Sequence, residues 1–143
     1  LVNEILDFME GEAARANVAI HRSVPAGITT TADPALLRQA FLNVIVNAFQ
    51  AIGEGGRLSV QLEAGSDVVV SFTDTGDGMD EDARARIFEP YYSTKEDGTG
   101  LGLAVVKEVA EMHGGSAAVK SAQGDGATVT LSVPLVTQAT APE

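Results

Sequence analysis

The chain contains no cysteine and no tryptophan, and aromatic residues make up only 5% of its 143 residues. The lack of cysteine excludes disulfides and thiolate metal sites, and it is compatible with a reducing compartment. Basic residues are also scarce, since 9 Lys and Arg face 20 Asp and Glu for a formal net charge of −11. Nucleic-acid backbones and anionic membranes need clustered positive charge, so neither is expected as a partner. The sequence also has no uninterrupted apolar run of the roughly 18 residues that a membrane-spanning helix needs.

What the chain does have is apolar content, at 45% of its residues, which is enough for the core of one compact domain. Apolar periodicity predicts helices over residues 1–9, 34–52, 80–88 and 101–113. Alternation of apolar and polar residues predicts strands over residues 18–23, 57–62, 68–73, 116–122 and 127–133. Strands that cluster as hairpins among three or four helices predict an α+β two-layer sandwich, with about three helices on one face of a mostly antiparallel mixed sheet. We expect one domain over residues 1–136 and a disordered tail over residues 137–143, which are small and polar.

Two asparagines lie on one face of the long predicted helix. Asn43 and Asn47 are four residues apart, so their side chains point the same way. The rest of this face is apolar, and a buried amide without a hydrogen-bond partner costs roughly 1–3 kcal/mol. A ligand or a metal ion would supply partners, and so would neighbouring backbone groups, so the spacing alone leaves both interpretations open.

Asp74 ends an apolar strand and is followed by Gly76 and Gly78. A carboxylate at a strand end can accept a hydrogen bond from an exocyclic amine, and glycines beside it let a flat ligand approach the backbone. Aspartate and glycine also dominate ordinary turns, so the pattern by itself favours a turn.

A glycine-rich segment, residues 98–102, directly precedes a predicted helix. Its backbone N–H groups and the positive end of the helix dipole are suited to phosphates, and Lys95 adds a positive charge nearby. The alternative is a flexible loop, and the segment matches neither a P-loop nor a dinucleotide-binding motif. His21 and His113 lack acidic neighbours and metal-ligand spacing, so both are interpreted as structural.

These features occur in the order of a known family. Residues 39–48, 74–79, 88–95 and 98–103 resemble the N, G1, F and G2 boxes of bacterial two-component sensor histidine kinases. The His113-Gly-Gly and Gly126-Ala-Thr128 patterns follow at compatible spacing. The chain therefore resembles the catalytic and ATP-binding domain of these kinases, and within them the nitrogen-regulation type.

The resemblance implies the Bergerat ATP-binding fold, which is shared with gyrase and Hsp90. In that fold Asp74 would bind the adenine amino group, with Gly76 and Gly78 beside it and Thr128 supporting it through water. Met79 and Leu103 would line the adenine pocket.

The resemblance also implies how the phosphates are held. Asn47 would be the Mg²⁺ ligand, and Asn43 would lie near the phosphates as a catalytic residue. Lys95 would contact a phosphate and act in catalysis. The lid around the phosphates would include four further residues: Thr99, Gly100, Leu101 and Gly102.

The phosphoacceptor motif of this family does not match either histidine of the chain. The resemblance therefore implies that the domain binds Mg²⁺–ATP and donates the γ-phosphoryl group to a histidine on a separate dimerisation and phosphoacceptor domain, with residues 1–14 as the junction helix. A response regulator would be reached indirectly. We expect a monomeric isolated domain, a homodimeric full-length kinase and a cytoplasmic location, with membrane anchoring of the parent protein left open.

Two other classes of function compete with this hypothesis. One is a gyrase- or Hsp90-like ATPase module, and the other is a nucleotide-binding domain without chemistry; a serine kinase of the anti-sigma-factor type is a minor third. Gyrase-type ATPases place a water-activating glutamate where this chain has Asn43, and an amide is not a useful general base near neutral pH. The sequence therefore favours transfer to another nucleophile over hydrolysis.

Overall fold

The computed structural model describes residues 1–25, 27–28, 30–53, 55–89, 102–122 and 124–135. Their elements, in chain order, are α1 (Val2–Arg15), β1 (Val18–Ser23), α2 (Pro34–Ile52), β2 (Gly56–Ala64), β3 (Asp67–Asp74), α3 (Glu81–Arg86), α4 (Gly102–Met112), β4 (Ser116–Ser121) and β5 (Ala127–Pro134). Each predicted helix and strand is present, with bounds that differ by a few residues. The predicted tail, residues 137–143, lies outside the described residues.

The five strands form one sheet in the order β1-β2-β3-β5-β4. β1 pairs with β2 in parallel, and the other three pairings are antiparallel. Parallel neighbours need a crossover connection, and α2 supplies it between β1 and β2. The predicted α+β sandwich with a mostly antiparallel mixed sheet is confirmed.

The core lies between the helices and one face of the sheet. Along β3 the side chains alternate, so Val68, Val70, Phe72 and Asp74 point into this layer and are buried. The ring of Phe72 packs against Phe41 of α2 with a centroid separation of 5.8 Å. The site predicted at Asp74 therefore sits where the hydrophobic core reaches one end of the sheet.

The first helix belongs to this core. Ile5 and Leu6 of α1 are almost fully buried, and Arg22 of β1 pairs with Asp7 at 2.9 Å and with Glu10 at 3.0 Å across the α1–β1 contact. These contacts make α1 a part of the domain's own fold. That residues 1–14 also join a preceding domain stays a prediction.

The long helix α2 has clear signals at both ends. The side chain of Asp33 accepts hydrogen bonds from the N–H groups of Ala35 and Leu36, and Gly53 ends the helix with a φ of 73°. With a mean hydropathy of 1.3 over its most apolar window, α2 is the one helix among the described residues that is long and apolar enough to cross a membrane. Its apolar content is explained by core packing, because one whole face is buried: Leu37, Ala40, Phe41, Val44, Ile45 and Ala48.

Helix α4 lies antiparallel to α2 and is held at both ends by polar contacts. At its start, the Asn43 Nδ2 donates to the carbonyl oxygen of Gly102 at 3.3 Å. At its end, His113 Nε2 accepts from the backbone N–H of Asp33 at 2.9 Å, and Nδ1 lies 2.8 Å from the carbonyl oxygen of Val109. With Nε2 as an acceptor, Nδ1 must carry the proton and donate to Val109. His113 thus links the two helices, in agreement with its interpretation as structural.

Candidate functional site

The centre of the candidate site is the carboxylate of Asp74 at the end of β3. It is 5% exposed, and it is the one buried charged side chain among the residues that the structure describes. The Asp74 Oδ1 accepts a hydrogen bond from the N–H of Gly76 at 2.9 Å. This bond from the N–H two residues on forms an Asx turn, in agreement with the turn interpretation, but here the carboxylate is buried at the edge of the core.

The glycines after Asp74 are required by close packing of the backbone. A Cβ on Gly76 would lie 2.6 Å from the carbonyl oxygen of Ala51 in the last turn of α2. A Cβ on Gly78 would lie 2.1 Å from the carbonyl oxygen of Ala122, and the φ of Gly78 is 71°. The loop of residues 74–79 is therefore closely packed between α2 and the β4–β5 turn. Contact of Gly76 and Gly78 with a nucleotide stays a prediction.

Helix α2 carries both asparagines on the face that reaches this loop. Asn43 and Asn47 are both half-buried, and Ala51, which contacts Gly76, follows Asn47 by one helical turn on the same face. One stripe of α2 therefore runs from the start of α4, at Asn43, to the loop after Asp74, at Ala51. For Asn43, the interpretation that the amide bonds neighbouring backbone is correct for its nitrogen, which donates to Gly102.

The two residues predicted to line the adenine pocket, Met79 and Leu103, differ in how deeply they are buried. Met79 is half-buried and packs against the hydrophobic core, whereas Leu103 in the first turn of α4 is 4% exposed and belongs to that core. Gly102 begins α4, and a Cβ there would meet none of the described residues within 4 Å. Within the described part of the chain, the start of α4 is therefore uncovered on this side, next to Asn43.

The register of the sheet contradicts the predicted role of Thr128. Thr128 pairs with Thr73, and their hydroxyl oxygens are 3.0 Å apart. Since side chains alternate along a strand, this pair lies on the open face of the sheet, opposite to Asp74. The cross-strand partner of Asp74 is Ala127, which is buried with it. The alternation of Ala127, Val129, Leu131 and Val133 already carries this signal in the sequence.

Four predicted site residues fall in residues 90–101, outside the described part of the chain: Lys95, Thr99, Gly100 and Leu101. Their phosphate contacts, and the lid to which they belong, stay predictions.

One residue of the site was missed by sequence reasoning. The Ser121 Oγ accepts a hydrogen bond from the N–H of Met79 at 2.8 Å and donates one to the carbonyl oxygen of Gly126 at 2.7 Å. Serine at a strand end has no distinctive sequence signal, because its partners are backbone groups that come together only in the folded chain.

The described residues contain no group of three or more His, Asp or Glu side chains arranged to hold a metal ion. A metal at Asn47 would therefore need oxygen ligands from a bound phosphate and from water. Mg²⁺ fits this arrangement, because it commonly takes few protein ligands, keeps several waters and shares the phosphates of its substrate.

The fold and the site define an ATP-binding domain of a known family. A family model described as histidine kinase-, DNA gyrase B- and HSP90-like ATPase matches residues 32–137, and the chain belongs to this family. That range covers α2, the loop at Asp74 and α4, which together form the site described above.

Its relatives narrow the class to sensor histidine kinases. ZraS of Salmonella typhimurium, a sensor histidine kinase, is 49% identical over 107 residues, which cover 73% of this chain and 23% of that protein. The mycobacterial sensor histidine kinase MprB has a TM-score of 0.82 at 29% identity, with 96% of each chain covered. Full-length ShkA, solved in complex with AMPPNP, has a TM-score of 0.84 at 34% identity, with 94% of this chain and 29% of that chain covered. Within its family the chain is thus similar in sequence and fold to the catalytic domains of sensor histidine kinases, and it spans about a quarter of the length of the curated relatives it matches.

Proposed function

We propose that this domain binds Mg²⁺–ATP and donates the γ-phosphoryl group to a histidine on a separate dimerisation and phosphoacceptor domain. The observation that carries the proposal is the buried Asp74 carboxylate at the end of β3, together with the face of α2 that bears Asn43 and Asn47 and reaches the loop after Asp74 at Ala51. Binding of AMPPNP, an ATP analogue, by the similar kinase ShkA supports the choice of nucleotide.

Asp74 is the residue that reads the base. An ionised carboxylate only accepts hydrogen bonds, and adenine presents an exocyclic amine that donates them. Guanine presents a carbonyl oxygen at the same ring position, which would face the carboxylate with no proton between them. The low exposure of Asp74 strengthens this discrimination, because an unpaired group in a buried site is costly.

In this proposal Asn47 and Asn43 act at the phosphates of the bound ATP. The amide oxygen of Asn47 would hold Mg²⁺ together with phosphate oxygens and water. When bound, Mg²⁺ neutralises charge that develops on the phosphates during transfer. Asn43 is fixed by its bond to Gly102, so it keeps the start of α4 in place beside the phosphates.

The phosphoryl acceptor must come from outside this domain. His113 has both ring nitrogens engaged with the backbone of α2 and α4. His21 is exposed on β1, at an edge of the sheet. Asn43 cannot deprotonate water, so direct hydrolysis lacks a base at the position where gyrase-type ATPases carry one. This chemistry favours a kinase over the gyrase- or Hsp90-like ATPase, which is the alternative function.

The remaining parts of the proposal concern the whole kinase. We infer a cytoplasmic location for this domain, a monomeric state in isolation, a homodimeric parent and indirect delivery of the phosphoryl group to a response regulator. The nitrogen-regulation subgroup also stays a prediction.

Radiolabelled ATP distinguishes transfer from hydrolysis. The domain alone should bind ATP, remain unlabelled and release phosphate slowly, because it lacks an in-line nucleophile. Added dimerisation and phosphoacceptor domain should become labelled on histidine, giving an acid-labile and alkali-stable product. Rapid phosphate release without an acceptor would support the ATPase alternative, and ATP binding with no transfer to any matched acceptor would support a non-catalytic domain.

A further inference from the structure

A single hydroxyl group joins the two segments that flank the candidate adenine site. Ser121 is the last residue of β4 and is half-buried. Its hydroxyl has one proton to donate, and that proton goes to the carbonyl oxygen of Gly126 at 2.7 Å. The same oxygen accepts the N–H of Met79 at 2.8 Å. Ser121 thus connects the loop after Asp74 to the turn between β4 and β5.

The same two segments are interlocked by backbone contacts. A Cβ on Gly126 would lie 2.1 Å from the carbonyl oxygen of Asp74, and a Cβ on Gly78 would lie 2.1 Å from that of Ala122. Two glycines therefore let the turn approach both Asp74 and Gly78 closely. The hydroxyl of Ser121 bonds one backbone group in each of these two segments.

We propose that Ser121 is a positioning residue for adenine recognition, which sets the place of Met79 relative to Asp74. This inference rests on the proposed function, because it assumes that adenine is read between these residues. Ser121 acts through the backbone, since its hydroxyl is already engaged on both sides. Its loss would leave the Met79 N–H and the Gly126 carbonyl without this partner, and the loop of residues 74–79 would lose its preorganised position.

The change to test is Ser121→Ala. The loss of both bonds should weaken ATP binding about ten-fold, in line with the cost of unsatisfied buried groups. ADP should lose affinity by the same factor, because the effect acts at the base and not at the phosphates. The Mg²⁺ dependence of ATP binding should be unchanged, and Ser121→Thr, which keeps a hydroxyl, should restore most of the affinity.

Thr73→Val is the matched control. It also removes a strand hydroxyl that is bonded to its neighbour, since the oxygens of Thr73 and Thr128 are 3.0 Å apart. Thr73 directly precedes Asp74 but points to the open face of the sheet. It should therefore lower stability without changing the affinity for ATP or ADP.

The affinities are measured by calorimetric titration well below the melting midpoint of each variant, and amide exchange at Met79 is followed by NMR in parallel. A protected Met79 amide in the wild type, faster exchange in Ser121→Ala and normal exchange in Thr73→Val support the proposal. Equal affinities for wild type and Ser121→Ala overturn it. If Ser121→Ala does not fold, the wild type and Ser121→Thr decide. An unprotected Met79 amide in the wild type, or a ten-fold loss of ATP affinity in Ser121→Thr, overturns the proposal. A protected Met79 amide together with retained affinity in Ser121→Thr supports it. A wild type that does not bind ATP contradicts the proposed function instead, and the exchange data still test the bond.

Discussion

At the scale of residues, the site depends on polar groups placed where the core would otherwise be apolar. Asp74 occupies the last inward position of β3, after Val68, Val70 and Phe72. Hydrogen bonding, including that from the Gly76 N–H at 2.9 Å, compensates the cost of burying its carboxylate. We propose recognition of a ligand as the reason for a carboxylate at this position.

Replacement of Asp74 by alanine should weaken ATP binding roughly ten- to a hundred-fold, because a hydrogen bond to a charged group contributes about 1.5–3 kcal/mol. Calorimetric titration measures the change. Asp67→Ala is the control, since Asp67 lies at the exposed opposite end of the same strand. Equal ATP affinity in the Asp74 and Asp67 variants would remove Asp74 from the adenine site.

Replacement of Asn47 by alanine should reduce the Mg²⁺-dependent part of ATP binding and leave metal-free binding largely intact. The reason is that, in the proposed site, the amide oxygen of Asn47 binds the metal, whereas Asp74 binds the base. Titrations with and without Mg²⁺ separate the two parts. The exposed Gln50 on the same helix provides the control as Gln50→Ala, and an Asn47 variant with the Mg²⁺ dependence of that control would contradict the metal assignment.

At the scale of elements, α2 and α4 are coupled as an antiparallel pair. Asn43 bonds Gly102 at one end of the contact, and His113 bonds Asp33 at the other. The first bond reaches the first residue of α4, and the second joins the residue after α4 to the N-cap residue of α2. The two helices are thus linked by a hydrogen bond near each end of their contact, and the start of α4 lies directly beside Asn43 of α2.

Replacement of His113 by alanine should lower the melting temperature by about 4 °C, because a lost hydrogen bond of this kind costs about 1 kcal/mol. His21→Ala is the matched control, since His21 is exposed on β1 and the change there should be close to neutral. Thermal unfolding followed by circular dichroism measures both variants. If the two histidine variants melted together, the link between α2 and α4 would be energetically unimportant.

Two glycine substitutions, one at Gly76 and one at Gly65, test the close contact between α2 and the loop after Asp74. Gly76→Ala should destabilise the fold by about 1–3 kcal/mol, as overpacking does, because its Cβ would lie 2.6 Å from the backbone oxygen of Ala51. A Cβ at Gly65, in the β2–β3 turn, would meet nothing within 4 Å. Chemical denaturation should show Gly65→Ala within about 0.5 kcal/mol of the wild type. Similar destabilisation of both variants would argue against a specific contact at Ala51.

At the scale of the whole molecule, the proposed function divides nucleotide binding and phosphoryl acceptance between two domains. In this proposal ATP binds at the Asp74 end of the sheet, and neither histidine of the chain receives the phosphoryl group. Transfer then depends on an encounter with the acceptor domain, whose effective concentration in the intact kinase is set by the tether between them.

The rate of histidine labelling should therefore rise with the concentration of an added acceptor domain until the complex saturates. Fusion of the two domains through a linker that spans them should make the rate independent of protein concentration. Quenched-flow measurements with labelled ATP report both rates. Labelling that did not depend on acceptor concentration in the unlinked system would show that the domains meet before the measured step.

Local patterns in the sequence determined the elements of this protein. The Asp33-Pro34 start and Gly53 end of α2, and the alternation along β3, depend on neighbours close in the chain, and so they were predicted correctly. The spacing of Asn43 and Asn47 likewise placed both amides on one helix face. The motifs also led to the correct family, because they combine residue types in a fixed order along the chain.

Tertiary structure alone decided which of these residues meet. The alternation along β5 already indicated that Thr128 faces away from the core, but only the pairing of β3 with β5 put Ala127 beside Asp74. The parallel pairing of β1 with β2 and the bridge from Ser121 to Met79 and Gly126 join segments that are distant in sequence. Such contacts involve backbone groups that every residue carries, so no local pattern of side chains specifies them before the chain has folded.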